Sequence, residues 1–143
     1  MARKKKLEKA WGERWHTIPR TDWDQIRRPP ERRVLKLHSN LKKAESAVLI
    51  QMRTGRTGLA HFLHTANVPE FNTSMCECMQ AWETPRHVLL HCAFEEGRRE
   101  GLGGEPDFVR LLNTPKGTLV ASKWMIQSGR LKQFQVANSL LYE

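Results

Sequence analysis

All three cysteines of this 143-residue chain fall in one short segment, and they constrain what that segment can become. Cys76-Glu77-Cys78 is followed by His87 after eight intervening residues and by Cys92 after four more. Three thiols and one imidazole make a Cys3His set, a standard tetrahedral shell for a structural zinc ion. A disulfide framework fits poorly, because the count is odd and Cys76 and Cys78 are too close to pair comfortably. The bland alternative is three buried cysteines and a surface histidine. The Cys-x-Cys pair is tighter than the usual Cys-x2-Cys.

The residues around the set suggest how it would be held. Glu83-Thr84-Pro85 reads as a turn and a helix start, with Thr84 as N-cap and Pro85 at the first helical position. His87 and Cys92 would then ride on a helix from Pro85 to Cys92. Five residues correspond to about 500° of helical rotation, leaving them about 140° apart, so Cys92 has to lie where the helix ends. His91, four residues after His87, shares its face more closely and is the rival fourth ligand. Cys92 ranks above it because thiolate binds zinc well and the cysteine has no other evident role.

The length suits one modest domain with its own core. The formal net charge is +9 and is unevenly placed. Residues 1–56 hold 16 Lys and Arg against 6 Asp and Glu, a balance of +10, whereas residues 57–143 hold 8 against 9, a balance of −1. The excess points to an anionic partner for the N-terminal arm, with nucleic acid, RNA or DNA, as the default and Arg3, Lys4, Lys5, Lys6, Lys9 and Arg14 as the contacts. A membrane surface is the rival, yet Ala2 stands where N-myristoylation needs glycine. Arg3 to Lys6 also reads as a nuclear-import run, and a solvated basic tail is the plain alternative. No stretch approaches the roughly 20 apolar residues of a membrane-spanning helix, and no secretory signal is present. The expected setting is therefore intracellular and nuclear, where thiolate ligands persist and disulfides are disfavoured.

The periodicities predict a mainly α chain of short helices around the metal clip. Residues 2–16 form a basic helix with Leu7, Trp11 and Trp15 on one stripe. Residues 17–33, with Pro19, Pro29 and Pro30, read as a linker. A helix from Leu41 to about Arg53 starts from a cap at Ser39 or Asn40. Others follow over 59–66, 94–99 and 106–113, from Pro115 to about Gly129, and on to Tyr142. The divisions expected are a basic arm and linker over 1–33, a helical zinc-knuckle domain over 34–135 and a C-terminal tail over 136–143. Arg53-Thr54-Gly55-Arg56-Thr57-Gly58 is either a corner between helices, with glycine supplying positive φ, or a loop whose amides, Arg53 and Arg56 hold a nucleic-acid phosphate. It lacks the Gly-Lys-Ser/Thr ending of a Walker motif.

Several of these segments together resemble a known family. Gln51-Met-Arg-Thr-Gly-Arg-Thr-Gly-Leu59, Cys76-Glu-Cys78, Glu83-Thr84, His87-Val-Leu-Leu90, Cys92 and Arg98 resemble the C-terminal zinc-knuckle tail of non-LTR (LINE-type) retrotransposon polyproteins of filamentous fungi. Ser128-Gly129-Arg130 with Phe134 resembles that family's closing Thr-Gly-Arg-Phe. The likeness covers about residues 34–135. It implies a zinc ion on Cys76, Cys78, His87 and Cys92. It also implies nucleic-acid binding beside upstream reverse transcriptase and ribonuclease H domains. The family commonly has glycine directly after the second cysteine, where this chain has Met79. A side chain there would strain the knuckle if the position requires positive φ.

Three functions compete. The first is a zinc-stabilised nucleic-acid-binding module, with Trp11, Trp15 and Trp23 able to stack on unpaired bases. The second is a zinc-clipped helical module that docks a protein through the tryptophan stripe, or a non-functional retroelement fragment. The third, an enzyme, is not expected. Four protein ligands close the zinc shell, no Tyr-x-Asp-Asp signature is present, and Asp22, Asp24 and Asp107 are not placed to hold two magnesium ions. Cys92 as nucleophile with His87 or His91 as base is the remaining catalytic arrangement.

Overall fold

Closely spaced caps and breakers hold the helices of this chain to a few turns. A computed structural model describes residues 2–17, 32–104 and 107–143. Seven α-helices lie among them: α1 (Ala2–Thr17), α2 (Lys43–Thr54), α3 (Ala60–Thr65), α4 (Pro85–Leu90), α5 (Phe108–Leu111), α6 (Pro115–Gln127) and α7 (Gln135–Tyr142). Three 3-10 helices, Arg32–His38, Ala93–Leu102 and Lys132–Phe134, join them. No strand occurs among the described residues; Met75 and Trp82 form an isolated antiparallel bridge. The expected mainly α fold around a Cys3His cluster is therefore what the chain adopts. The expected linker falls mostly on 18–31, outside the described residues, as does Trp23.

The starts of α2, α5 and α6 each have a side-chain acceptor. The expected cap of α2 at Ser39 or Asn40 is displaced. Lys42 occupies the N-cap and the Glu45 carboxylate accepts its N–H at 2.8 Å. Ser39 instead donates its hydroxyl to the Lys36 carbonyl at 2.7 Å, closing the preceding 3-10 helix. Gly55 ends α2 at φ 74°, the left-handed stop that glycine adopts without a Cβ penalty. Asp107 caps α5 by accepting from the Val109 and Arg110 N–H groups. Thr114 caps α6, with Pro115 at its first turn.

The helices meet around α2 and α6, which pack against each other. Val48, Leu49 and Met52 of α2 and Ala121, Trp124, Met125 and Ile126 of α6 are buried together with Val88 and Leu89 of α4 and Phe108 and Leu111 of α5. Polar bonds of long reach lock the arrangement. Thr118 donates to the Leu37 carbonyl at 3.1 Å, and the Arg53 guanidinium holds Leu112 O and, at 2.7 Å, Asn113 Oδ1. Glu45 is only 2% exposed, and its second oxygen accepts from the Tyr142 phenol. That bond ties α7, expected as a tail, back to the start of α2. Leu7 and Trp11 of α1 are exposed, and the side chain of Trp15, third member of their stripe, lies outside the described residues.

Two glycines in helices should answer alanine with opposite signs. Gly12 in α1 has open space where a Cβ would go, so Gly12→Ala should increase helicity by about 0.8–1.0 kcal/mol of propensity. A Cβ on Gly117 would stand 2.2 Å from the Leu111 carbonyl oxygen, closer than any real contact. Gly117→Ala should therefore lower the melting temperature despite the better helix former. Equal gains in both variants, followed by circular dichroism, would mean that the α5–α6 corner is not as tight as described.

Candidate metal centre

The Cys3His set is assembled by one turn and one short helix. Cys76 N–H donates to Ala81 O at 2.8 Å and Met79 N–H to Cys76 O at 2.9 Å, so the Cys76–Cys78 segment curls back on itself. The expected cap follows: Thr84 precedes Pro85, and its hydroxyl accepts the His87 N–H at 3.2 Å. His87 thus sits in the first turn of α4. The helix stops at Leu90, and the N–H groups of His91 and Cys92 both donate to His87 O. Leaving the helix there swings Cys92 back beneath the turn, which removes the 140° mismatch of a continuous helix. His91 is exposed at the helix end and takes no part in the cluster.

Cys76, Cys78, His87 and Cys92 offer ligand atoms that all lie within 4.8 Å of one another, a group that can hold a metal ion. Cys76 Sγ and Cys92 Sγ are 3.7 Å apart, and Cys78 Sγ and His87 Nε2 are 3.2 Å apart. Tetrahedral zinc with bonds of about 2.3 Å to sulfur and 2.0–2.1 Å to nitrogen has edges of about 3.8 Å between sulfurs and about 3.5 Å between sulfur and nitrogen. The donor set therefore fits such an ion in type and number, and these two separations lie close to its edges. The cysteines are not disulfide-bonded.

The surroundings place positive charge against the thiols. Arg130 is the residue that the sequence reading did not assign to the centre. Its guanidinium donates to Cys76 Sγ and Cys92 Sγ, each at 3.4 Å, to Glu83 at 2.6 Å and to Glu95 at 2.8 Å. The other oxygen of Glu95 accepts from Arg98 at 2.7 Å, and that of Glu83 from the Ala60 N–H at 2.7 Å. Burial alone would raise the Glu95 pKa, but the bonds from Arg130 and Arg98 outweigh it and hold the carboxyl below its ordinary value. Arg99 binds Leu89 O and Cys92 O, sealing the end of α4. One signal for Arg130 was available in the chain: it belongs to the Ser128-Gly129-Arg130 run, and Gly129 takes φ 74° to turn the backbone after α6.

Burial pushes the Cys76 thiol up to about 11, while the Gln80 N–H lowers that of Cys78. Burial, then the nearby Arg130 charge, lowers His87 below its usual 6.5, so its imidazole is neutral at pH 7 and able to ligate. Thiol protons must leave when a metal binds, so uptake releases protons and strengthens as pH rises. Met79 stands at φ 62° with its side chain 72% exposed. The residue that replaces the resembled family's glycine therefore occupies a left-handed position.

Of the other candidates, Arg3, Lys4, Lys5, Lys6, Lys9 and Arg14 lie exposed on α1, and Arg56 is exposed at the corner after α2. Arg53 turns inward to Leu112 and Asn113, and Thr57 is buried, which gives the corner a structural role. No family model, curated protein or solved structure matches this chain.

Two sets of variants test the centre. Cys92→Ala should reduce bound metal per chain while His91→Ala leaves it unchanged; mass spectrometry under native conditions reads both, and the reverse order would transfer the ligand role to His91. Met79→Gly should stabilise the metal-loaded protein by on the order of 1 kcal/mol, because glycine removes the left-handed penalty and little side-chain burial is lost. A lower melting temperature for this variant would show that the turn is unstrained.

Proposed function

We propose that this chain is a zinc-stabilised module that binds nucleic acid and has no catalytic role, similar to the tail of a retroelement reverse transcriptase. The observation that carries the zinc assignment is the thiolate-rich Cys3His group with ligand atoms within 4.8 Å. Thiolate and imidazole favour zinc over the hard cations, and four protein ligands leave no open position for a substrate. The nucleic-acid reading is supported by the charge split and by the exposed basic residues of α1. Helix α1 supplies phosphate contacts without sequence preference, and the zinc domain supplies a folded body behind it. Work on nucleic acid places the chain inside the cell and in the nucleus. No helix among the described residues is long and apolar enough to cross a membrane.

A second reading rests on Leu7 and Trp11, which are 63% and 59% exposed and one helical turn apart. Such a stripe suits docking on a protein. Salt separates the two, because counterion release makes phosphate binding strongly salt-dependent and apolar docking is not.

Replacing Arg3, Lys4, Lys5, Lys6, Lys9 and Arg14 together by Gln in the full chain should weaken binding to duplex DNA or RNA by roughly 100-fold or more at moderate salt. The slope of log affinity against log salt should flatten by as much as about 5, since up to six fewer phosphates are neutralised. Unchanged affinity and slope, with binding abolished instead by Arg56→Gln, would move recognition to the corner after α2.

A further inference from the structure

The indole of Trp82 is 58% exposed although its backbone is fixed on both sides. Trp82 bridges to Met75, Glu83 N–H donates to Ser74 O at 2.9 Å, and Thr84 N–H donates to Trp82 O at 2.9 Å. The ring itself is splinted. His61 of α3 stacks on it, with centroids 4.6 Å apart and planes 11° from parallel. Burial keeps the His61 pKa below its ordinary value, so the splint is a neutral ring at pH 7. The His61 backbone N–H in turn donates to Glu83 O, which joins α3 to the metal clip.

Beside the indole runs an open groove of about 610 Å³. Small-molecule sites span roughly 300–1,000 Å³. Met75 and Trp82 give it apolar walls, and Gln80, Thr84, Arg86 and His91 bring polar atoms to its sides. Arg86, which lines the groove, also lies over the Phe108 ring at 5.1 Å. His61 is outside the groove, so the indole separates the splint from the open space.

We propose that Trp82 is a stacking platform for one unpaired nucleobase of single-stranded nucleic acid, with Gln80 facing the edge of the base and Arg86 the adjacent phosphate. This rests on the nucleic-acid reading above and assigns it a second, base-contacting site next to the metal centre. Stacking on an aromatic ring tolerates any base, because each has a π-face. The ring is already immobilised, so little rotamer freedom is lost on binding. A duplex offers no free base face. The site therefore discriminates strandedness, which the phosphate contacts of α1 do not.

The test uses the full metal-loaded chain with an oligo-dT strand and a duplex of equal length, read by fluorescence anisotropy. Trp82→Leu should weaken the single-strand complex by about tenfold and leave the duplex complex unchanged, while Trp82→Phe retains most of the single-strand affinity. Leu also loses the ring that stacks on His61, so the unchanged duplex affinity is the readout that separates loss of the base contact from a packing defect. Metal content and helicity are checked in both variants. Equal single-strand affinity in the Leu and Phe variants and the parent would overturn the platform while leaving nucleic-acid binding by α1 in place. The same holds if the groove serves a protein segment, since neither nucleic-acid affinity would then respond. A parent chain that binds neither strand form removes both proposals.

Discussion

Arg130 is a cation in a confined place, and its need for partners organises the middle of the molecule. Its side chain is 12% exposed, and it is met by Glu83, Glu95 and two thiol sulfurs. Those partners come from the turn before α4, from the 3-10 helix after it and from the metal cluster. A single guanidinium therefore connects the clip to the end of α6 and, through Glu83, to the start of α3. Leaving such a charge unpaired costs about 3–5 kcal/mol, a large share of the stability of any small domain. The carboxylates of Glu83 and Glu95 balance Arg130 and Arg98 by themselves. The thiols are thus compatible with the site in their neutral form, and a dication with three thiolates would add only one net negative charge, spread over the N–H donors already in place.

Much of the helical framework and the ligand set was legible in the sequence because both depend on local chemistry. Thr84-Pro85 announces α4 through a cap and a pre-set φ, and Thr114-Pro115 does the same for α6. The spacing of His87 and Cys92 required Cys92 to lie where its helix ends, and α4 stops two residues short of it, at Leu90. The features that stayed hidden depend on residues far apart in the chain. Arg130 lies 38 residues beyond Cys92, and only the fold brings its guanidinium to the sulfur. The N-cap of α2 moved to Lys42 because Glu45, held buried by Tyr142 from 97 residues away, supplies the acceptor. In sequence Arg53 was open to either a corner or an anion contact, and its partners, Leu112 O and Asn113 Oδ1, lie 59 and 60 residues away. Trp82 drew no notice because nothing in its neighbours along the chain says that His61 will lie flat against it.

The molecule combines two kinds of cohesion. Around α2 and α6 the buried side chains are mostly apolar, tied by a few long-range polar bonds such as Thr118 to Leu37 O and Tyr142 to Glu45. Around residues 71–92 no helix is longer than α4, and order comes from a turn, four ligand atoms and a buried ion network. The first part follows the ordinary area-driven logic of a core. The second is held by a turn and by paired charges around clustered thiols and an imidazole, which respond to protons and salt in ways a hydrophobic core does not.

The pairing of α2 with α6 also has a consequence for synthesis. Val48, Leu49 and Met52 share their core with Val88 and Leu89, about 40 positions later, and with Ala121, Trp124, Met125 and Ile126 of α6, about 70 or more positions later. While a ribosome is still making the stretch before α6, the apolar face of α2 is only partly covered. The cysteine segment emerges in that interval, and all four candidate ligands lie within 17 consecutive residues, so the cluster is complete before α6 is made. The nascent chain thus carries the whole cluster beside a partly uncovered helix until residues 115–127 arrive, an interval in which exposed apolar surface favours aggregation.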